Sequence, residues 1–331
     1  MILLTGATGF VGRETLKQLR DKGYAVRALI RNPEVVAHHP DFQGVEIIEG
    51  DILDVLSLEK ACEGVTEIIH CAATVSFRKV DRALMKKTNV TGTANVVNAG
   101  INAGVRKLIH VSSIAALGRS REHEAITEET RWKSDGKNSY YAQTKYAAEK
   151  EVYRGLAEGL PCVIACPGVI LGYGDGKSGS AGIFKFAAKG LPFYPVGSNG
   201  FIGVKDVAKA LIVLLESNHN SGEKYILVSQ SVTYQLLLSL IAKVLQKKPP
   251  VWMIPPFGAK LLGRIMETLS FITRTNPVFT TETMRTASHR YIYDGSLFSI
   301  TFDFSYEPIE RVVQDTAQSF LNTYANPGER R

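Results

Sequence analysis

The sequence contains no apolar run long enough to cross a bilayer. A spanning helix needs roughly 18–20 consecutive apolar residues, and none occurs in this chain of 331 residues, of which 45% are hydrophobic. The chain starts with a short strand-like run rather than with a charged, cleavable leader. We therefore expect a cytoplasmic protein with a sizeable core and no stable membrane insertion.

Cysteine is also scarce, and its spacing is not that of a metal or redox site. Cys162 and Cys166, two of the four cysteines, fall together on a predicted strand. We expect all four thiols to be reduced and mostly buried. The seven histidines are dispersed along the chain, which is typical of structural histidines. The sequence therefore predicts no metal site.

Acidic residues are outnumbered, but the positive excess is not concentrated. The chain has 39 lysines and arginines against 32 aspartates and glutamates, a net charge of +7. The excess occurs in short pairs such as Lys86-Lys87 and Lys247-Lys248, without a basic stripe interleaved with aromatic residues. This distribution argues against a nucleic-acid partner. An anionic cofactor or substrate and a solvated surface are sufficient to explain it.

Glycine, in contrast, is regularly spaced near the start of the chain. Residues 1–4 form an apolar run typical of a buried parallel strand, and glycines 6, 9 and 12 precede a helical pattern. Such a loop lets the backbone approach a pyrophosphate, and the helix N-terminus offers free N–H groups to it. The alternative is an ordinary glycine-rich turn. The loop residues predicted to contact a dinucleotide are Gly6, Thr8, Gly9, Phe10, Val11 and Gly12.

The end of the second predicted strand bears on which dinucleotide is preferred. An acid about 20 residues beyond the glycines would meet the adenosine ribose and select NAD. Here that region carries Arg27 and Arg31, with no acid before Glu34. Because a guanidinium suits a 2′-phosphate, Arg31 favours NADP(H), with NAD(H) as the alternative cofactor. Arg31 could equally be a solvated arginine at a strand end.

Later strand ends supply the remaining cofactor contacts. Small residues after the fourth strand leave room for a ribose or a nicotinamide. The acid after the third strand is expected near the adenine, or else it is a helix N-cap. The predicted contacts at these strand ends are Asp51 and Ile52, Ala72 and Ala73, and Pro167, Gly168 and Val169.

The order of elements predicts the fold class. Strands and helices alternate up to about residue 172, which indicates an α/β fold with a Rossmann-type, doubly wound parallel sheet. We assign residues 1–172 to a dinucleotide-binding domain, to which residues 201–228 return. Residues 173–200 and 229–331 are expected to form a smaller, mostly C-terminal α+β substrate-binding region.

Reduction of a carbonyl by hydride needs an acid to protonate the developing alkoxide. Tyr141 and Lys145 are one turn apart on a predicted helix, where the ammonium would lower the pKa of the phenol. Ser113 ends the fifth strand and could hold the carbonyl oxygen, whereas Ser112 points to the other side. The alternative is an amphipathic helix that carries tyrosine and lysine by chance.

Taken together, these residues resemble the extended short-chain dehydrogenase/reductase family, also known as the NAD-dependent epimerase/dehydratase family. The runs at residues 72–77 and 113–118 look most like the dihydroflavonol reductase and 3β-hydroxysteroid dehydrogenase branch. The resemblance covers nearly the whole chain, and its other matching segments are residues 5–12, residues 89–93, residues 111–113, Tyr141 with Lys145, and Pro167 with Gly168.

The resemblance implies a catalytic triad of Ser113, Tyr141 and Lys145, in which Lys145 also binds the nicotinamide ribose. It implies a supporting role for Asn89 and a homodimer through the helices near residues 83–103 and 139–158. The chain departs from many members at Cys166, where an arginine is frequent, and this weakens a sugar-nucleotide assignment a little.

The leading hypothesis is an NADP(H)-dependent oxidoreductase that interconverts a carbonyl and an alcohol on a small, partly apolar substrate. The alternative is a nucleotide-sugar epimerase or dehydratase with tightly bound NAD, which needs cations such as Arg264, Arg274 or Lys177 for a diphosphate. A non-enzymatic cofactor sensor would be expected to lack Tyr141 or Lys145, and both are present.

Overall fold

A computed structural model describes residues 1–119, 124–134, 136, 138–174, 180–273 and 280–325. Within these residues the strands, in chain order, are β1 (Ile2–Thr5), β2 (Val26–Ile30), β3 (Glu46–Glu49), β4 (Glu67–His70), β5 (Lys107–Val111), β6 (Ala125–Ile126), β7 (Cys162–Pro167), β8 (Val169–Leu171), β9 (Phe193–Pro195), β10 (Ser198–Gly203), β11 (Ser221–Leu227), β12 (Gln230–Thr233), β13 (Trp252–Ile254) and β14 (Ile292–Tyr293).

The helices alternate with these strands and become more frequent toward the C-terminus. In chain order they are α1 (Phe10–Asp21), α2 (Val55–Cys62), α3 (Arg82–Lys86), α4 (Gly92–Asn102), α5 (Tyr140–Ala157), α6 (Ala181–Ala188), α7 (Val204–Glu216), α8 (Tyr234–Val244), α9 (Pro256–Thr273), α10 (Thr281–Ala287), α11 (Ser296–Phe302) and α12 (Ile309–Ala325).

Seven strands form the central sheet, in the order β11-β7-β5-β4-β1-β2-β3, and every neighbouring pair is parallel. Every residue of β1, β5 and β7 is buried, because helices cover both faces of the sheet. The predicted α/β fold is confirmed. The chain reverses its direction of winding between β1 and β4, and ligands of such sheets bind at that crevice, beyond the carboxyl ends of the strands.

Two apolar clusters hold the helices to the sheet. One face packs α1 and α7 through residues such as Leu16, Leu19 and Leu211. The opposite face packs α2, α4 and α5 through residues that include Leu58 and Val97. The carboxyl ends of the parallel strands and the N-termini of the helices that follow them therefore lie at the same edge of the sheet.

The C-terminal part builds smaller sheets against this edge. β8, β10 and β12 form one three-stranded sheet, and β9 pairs with β13 and β6 with β14. A third apolar cluster, which includes Phe184, Phe201, Leu237, Val313 and Phe320, packs α6, α8 and α12 together. β11 and α7 return to the central sheet and its cluster, whereas β10 belongs to the smaller sheet.

Element boundaries differ from the predicted ones in two informative places. The predicted helix over residues 83–103 is divided by a π-helical turn at Lys87–Thr91 that separates α3 from α4. The predicted fifth strand stops at Val111, so that Ser112 and Ser113 belong to the turn that follows it. In the part of the chain that the structure describes, no helix is long and apolar enough to cross a membrane.

Candidate active site

The glycine loop between β1 and α1 is tightly folded onto itself. Gly6 has φ +73°, and a Cβ there would lie 2.6 Å from the backbone N of Ala72. The N–H of Gly9 donates to the Gly6 carbonyl at 2.9 Å. A Cβ on Gly12 would lie 2.1 Å from the same carbonyl oxygen. The loop therefore requires glycine at positions 6 and 12, because a left-handed turn and a close helix approach leave no room for side chains.

The loop leads directly into the N-terminus of α1. Gly9 is the N-cap and supplies no side-chain hydrogen bond, and the first turn contains no acid. The N–H groups of Phe10 and Val11 therefore have no partner from within the helix, and they carry the positive end of its dipole. Thr8 is exposed on the same loop. This cradle of backbone donors fits the pyrophosphate of a dinucleotide.

The walls of the cradle come from other predicted contact residues. The Ala72 N–H donates to the Thr5 hydroxyl at 3.3 Å, which holds the end of β4 beside the loop. Ala73 is exposed at the same edge. A Cβ on Gly168 would lie 2.6 Å from the Gly200 carbonyl, so the turn between Pro167 and Val169 is also closely packed. The ends of β4 and β7 therefore lie at the sheet edge where ligands of such folds bind.

The two arginines of β2 have different environments. Arg27 donates to the Ala61 carbonyl at 2.9 Å and to Glu46 Oε1 at 2.8 Å, so its guanidinium is engaged within the protein. Arg31 follows β2 and is exposed, and it forms no ion pair with another described residue. Only Arg31 is therefore placed to meet a ligand at the carboxyl end of β2.

The structure separates two roles that the sequence left open for Asp51. Asp54 is the N-cap of α2, since its side chain accepts from the Leu56 N–H. Asp51 closes the preceding turn by accepting from the Leu53 N–H at 2.9 Å. Asp51 is half-buried, and the neighbouring Ile52 is buried against α4. Asp51 is thus not the helix cap, and its position after β3 is that of the predicted adenine contact.

Ser113 and Tyr141 meet above the end of β5. Ser113 caps the turn after β5 by accepting from the Ala115 N–H at 3.1 Å. Tyr141 lies in the first turn of α5, whose N-cap is Ser139. Burial raises the pKa of Tyr141 to about 12, and a polar contact with Ser113 lowers it by a smaller amount. The two hydroxyls are adjacent, as the catalytic hypothesis requires.

Lys145 lies one turn further along α5 and is almost completely buried. Its Nζ donates to the Val111 carbonyl at 2.8 Å and lies 3.4 Å from Nε2 of His110. Burial lowers the pKa of Lys145 to about 8 against the opposing effect of Glu149. The sequence-based expectation that Lys145 lowers the pKa of Tyr141 is not met in this arrangement, because Nζ is turned toward the strand carbonyl.

Beneath these residues lies a polar network that sequence reasoning did not identify. Glu149, one turn after Lys145, is 1% exposed. Its carboxylate accepts from the hydroxyl of Ser112 and forms an ion pair with Lys224 of β11. The sequence does contain a signal for Glu149, because it follows Tyr141 and Lys145 at the same four-residue spacing. Residues spaced in this way share one face of a helix.

Asn89 has a structural part in the site. It lies in the π-helical turn and is 1% exposed. Its amide donates to the Thr74 carbonyl at 2.9 Å and to the Thr144 hydroxyl at 3.0 Å, and its oxygen accepts from the Thr74 N–H. Asn89 therefore joins the segment after β4 to the helix that carries Tyr141 and Lys145.

The C-terminal region also reaches this helix. Glu282 of α10 accepts from the Tyr140 N–H at 2.9 Å, at the start of α5. The four cysteines are free, and no cluster that could hold a metal ion is found among the described residues. Of the cations considered for a diphosphate, Arg264 is exposed on α9. Arg274 and Lys177 lie outside the described residues.

A cavity of about 370 Å³ borders the glycine loop. Its walls include Thr8, Gly9 and Phe10, together with residues of α7 and α12, and exclude the Ser113, Tyr141 and Lys145 group. The cavity thus adjoins the predicted dinucleotide cradle rather than the place where a carbonyl would react.

Comparison with known proteins identifies the class. Residues 2–227 match the family model described as the NAD dependent epimerase/dehydratase family. The chain belongs to this family, which contains the extended short-chain dehydrogenases/reductases. The family resemblance inferred from the sequence is confirmed.

Three of the proteins with similar sequences are named as reductases or dehydrogenases. A Synechocystis protein provisionally named dihydroflavonol 4-reductase is 25% identical over 96% of this chain and 94% of its own length. Cinnamoyl-CoA reductase 1 of Petunia hybrida is 31% identical over 77% of this chain and 79% of its own length. A 3β-hydroxysteroid dehydrogenase/Δ5→4-isomerase of Mycobacterium tuberculosis is 34% identical over 53% and 48%.

Solved structures agree on the fold. The crystal structure of gox2253 superposes with a TM-score of 0.82 at 28% identity, covering 100% of this chain and 99% of that one. UDP-glucose 4-epimerase of Thermotoga maritima, solved with UDP-glucose, has a TM-score of 0.76 at 20% identity, with 98% and 99% covered. The second likeness concerns the fold alone. The family model and the relatives named as reductases and dehydrogenases make the protein an enzyme of the oxidoreductase type.

Proposed function

We propose that the protein is an NADP(H)-dependent oxidoreductase that interconverts a carbonyl and an alcohol on a small, partly apolar substrate. The observation that carries this proposal is the adjacency of Ser113 and Tyr141, with Lys145 one turn away on α5, at the sheet edge that holds the glycine loop. The names of the reductase and dehydrogenase relatives support the reaction class.

The residues fit a nicotinamide dinucleotide through the cradle already described. Bound there, the nicotinamide would exchange a hydride with the substrate carbon. Ser113 holds the substrate oxygen, and the Tyr141 hydroxyl gives its proton to that oxygen in reduction or accepts one in oxidation. Lys145 would hold the nicotinamide ribose hydroxyls through its ammonium, which has three N–H donors.

Preference for NADP(H) is proposed from Arg31. Its guanidinium is exposed at the end of β2, while Arg27 is engaged with the Ala61 carbonyl and Glu46. A planar, permanently charged donor group at this place favours a ribose 2′-phosphate over a free hydroxyl.

The deciding experiment identifies the nucleotide that co-purifies with the protein and then titrates the apo-protein with NADPH and NADH. Tighter binding of NADPH, followed by NADPH oxidation at 340 nm in a screen of apolar aldehydes and ketones, supports the proposal. Tightly held NAD with no turnover of external carbonyls would favour a nucleotide-sugar epimerase or dehydratase instead. A protein that binds neither nucleotide would contradict both.

We further propose a cytoplasmic homodimer that pairs through α4 and α5. The free cysteines are compatible with a reducing compartment. Light scattering on the purified protein measures the mass directly, and fractionation of source cells gives the location. A monomeric mass at micromolar concentration would contradict the dimer, and recovery from an exported fraction would contradict the location.

A further inference from the structure

An apolar segment of the C-terminal region lies on the surface. Residues 251–257 have the sequence Val-Trp-Met-Ile-Pro-Pro-Phe. Val251 is 64% exposed, Trp252 61% and Phe257 81%. Single exposed apolar residues are ordinary, but a contiguous exposed patch of large apolar side chains marks an interaction site.

Neighbouring elements enlarge this patch. β13 pairs with β9, and the rings of Trp252 and Phe193 are 5.5 Å apart. On α9, the exposed residues at positions 257, 261 and 265 recur every four residues and therefore share one face. We call the resulting patch the apolar surface, formed by Phe193, Trp252, Met253, Phe257, Leu261 and Ile265.

Positive charge surrounds the apolar surface. Residues 243–266 contain five lysines and arginines and no aspartate or glutamate. Lys247 and Lys248 are exposed just before β13, and Lys260 and Arg264 are exposed on α9, each directly before an apolar residue of the patch. Two copies of this face would bring like charges together, which disfavours self-association.

The combination of interfacial aromatic residues and flanking cations matches an anionic bilayer surface. Tryptophan and phenylalanine insert at the boundary between headgroups and acyl chains, and lysine and arginine bind lipid phosphates. We propose that the apolar surface binds the headgroup region of an anionic lipid bilayer. The association is peripheral, since no described helix could span the membrane, and it does not depend on the chemistry at Tyr141.

Tryptophan fluorescence tests this proposal directly, because the chain has only two tryptophans. Trp132 stacks on Tyr146 of α5, and Trp132→Phe leaves Trp252 as the sole reporter. The emission of Trp252 should shift to shorter wavelength with vesicles of phosphatidylcholine and phosphatidylglycerol, but not with phosphatidylcholine alone. An unchanged emission with both vesicles would overturn the proposal.

Vesicle sedimentation tests the role of charge. Lys260→Gln with Arg264→Gln should lower the partition coefficient about 25-fold, since each cation near an anionic surface contributes about fivefold. Lys17→Gln with Lys60→Gln, at exposed lysines on α1 and α2, is the matched control and should bind like the unaltered protein. Far-UV circular dichroism verifies that both variants fold.

Two other outcomes would contradict the proposal. Equal loss of binding in both double variants would mean attraction by net charge alone, without a defined surface. A Trp252 emission shift that grows with protein concentration in the absence of vesicles would mean that a second copy of the chain covers the apolar surface.

Discussion

Glu149 of α5 lies one helical turn beyond Lys145 and forms a buried ion pair with Lys224 of β11. The same carboxylate accepts from Ser112, the residue before Ser113. The pair therefore fastens the helix that carries Tyr141 and Lys145 to the sheet whose edge carries Ser113.

Glu149→Gln should destabilise the fold by about 3 kcal/mol, because it leaves the Lys224 ammonium without its partner in a largely buried site. Chemical denaturation monitored by circular dichroism measures this loss. Glu151→Gln on the same helix removes a partly exposed partner of Arg154 and should cost at most about 0.5 kcal/mol. Equal losses in the two variants would contradict a special role for the buried pair.

The same substitution should change the pH dependence of turnover. The pKa of Lys145 is lowered by burial to about 8, and Glu149 is the main charge that opposes this shift. Protonated Lys145 is depleted as the pH rises through this value, so kcat/KM should fall on the alkaline side. Glu149→Gln should move that fall to lower pH, whereas Glu151→Gln should leave it in place. If the alkaline fall of kcat/KM occurs at the same pH in Glu149→Gln as in the unaltered protein, the electrostatic argument is wrong.

Tyr141→Phe should reduce kcat by about 10²–10⁴-fold and leave the Kd for the cofactor nearly unchanged, because only the proton donor is removed. Steady-state kinetics and fluorescence titration with NADPH measure the two quantities. Tyr140→Phe is the matched control, because the residue four positions after Tyr140 is Thr144 and not a lysine. Retained turnover in Tyr141→Phe would show that the acid lies elsewhere.

Arg31→Asp should raise the Kd for NADPH relative to that for NADH by at least tenfold, because a carboxylate repels the 2′-phosphate and accepts from a 2′-hydroxyl. Isothermal titration with both nucleotides measures the ratio. Arg27→Gln should lower stability without moving the ratio, since Arg27 bonds to the Ala61 carbonyl and Glu46. A ratio that stays constant in Arg31→Asp would exclude Arg31 from cofactor selection.

Gly12→Ala should prevent tight cofactor binding and lower the melting temperature, because the added Cβ would lie 2.1 Å from the Gly6 carbonyl. Gly258→Ala is the control. Its Cβ would meet its nearest neighbour at 3.4 Å, and alanine favours a helix by up to about 1 kcal/mol. Thermal melts with and without NADPH distinguish the two positions, and a Gly12→Ala protein that melts and binds normally would contradict the close approach.

Local sequence was sufficient for the main features of the fold and for the proposed triad. Apolar runs separated by helical patterns predicted the parallel sheet, because strands buried on both faces must be apolar throughout. The glycine spacing predicted the cradle, since a left-handed turn and a close helix approach each require glycine. Tyr141 and Lys145 could be paired because residues four apart share one face of a helix.

Other features depended on residues far apart in the chain. Arg27 and Arg31 look alike in sequence, and only the positions of Ala61 and Glu46 showed that Arg27 is engaged and Arg31 exposed. The Glu149–Lys224 pair joins residues 75 positions apart.

The sequence by itself determined the class of fold, the glycine cradle and the tyrosine–lysine spacing, because these follow from local backbone geometry and periodicity. Tertiary structure alone decided which charges are buried and paired, where the ammonium of Lys145 points, and which apolar residues remain exposed. The physical reason is that burial and electrostatic partners depend on packing between distant segments, which no local pattern encodes.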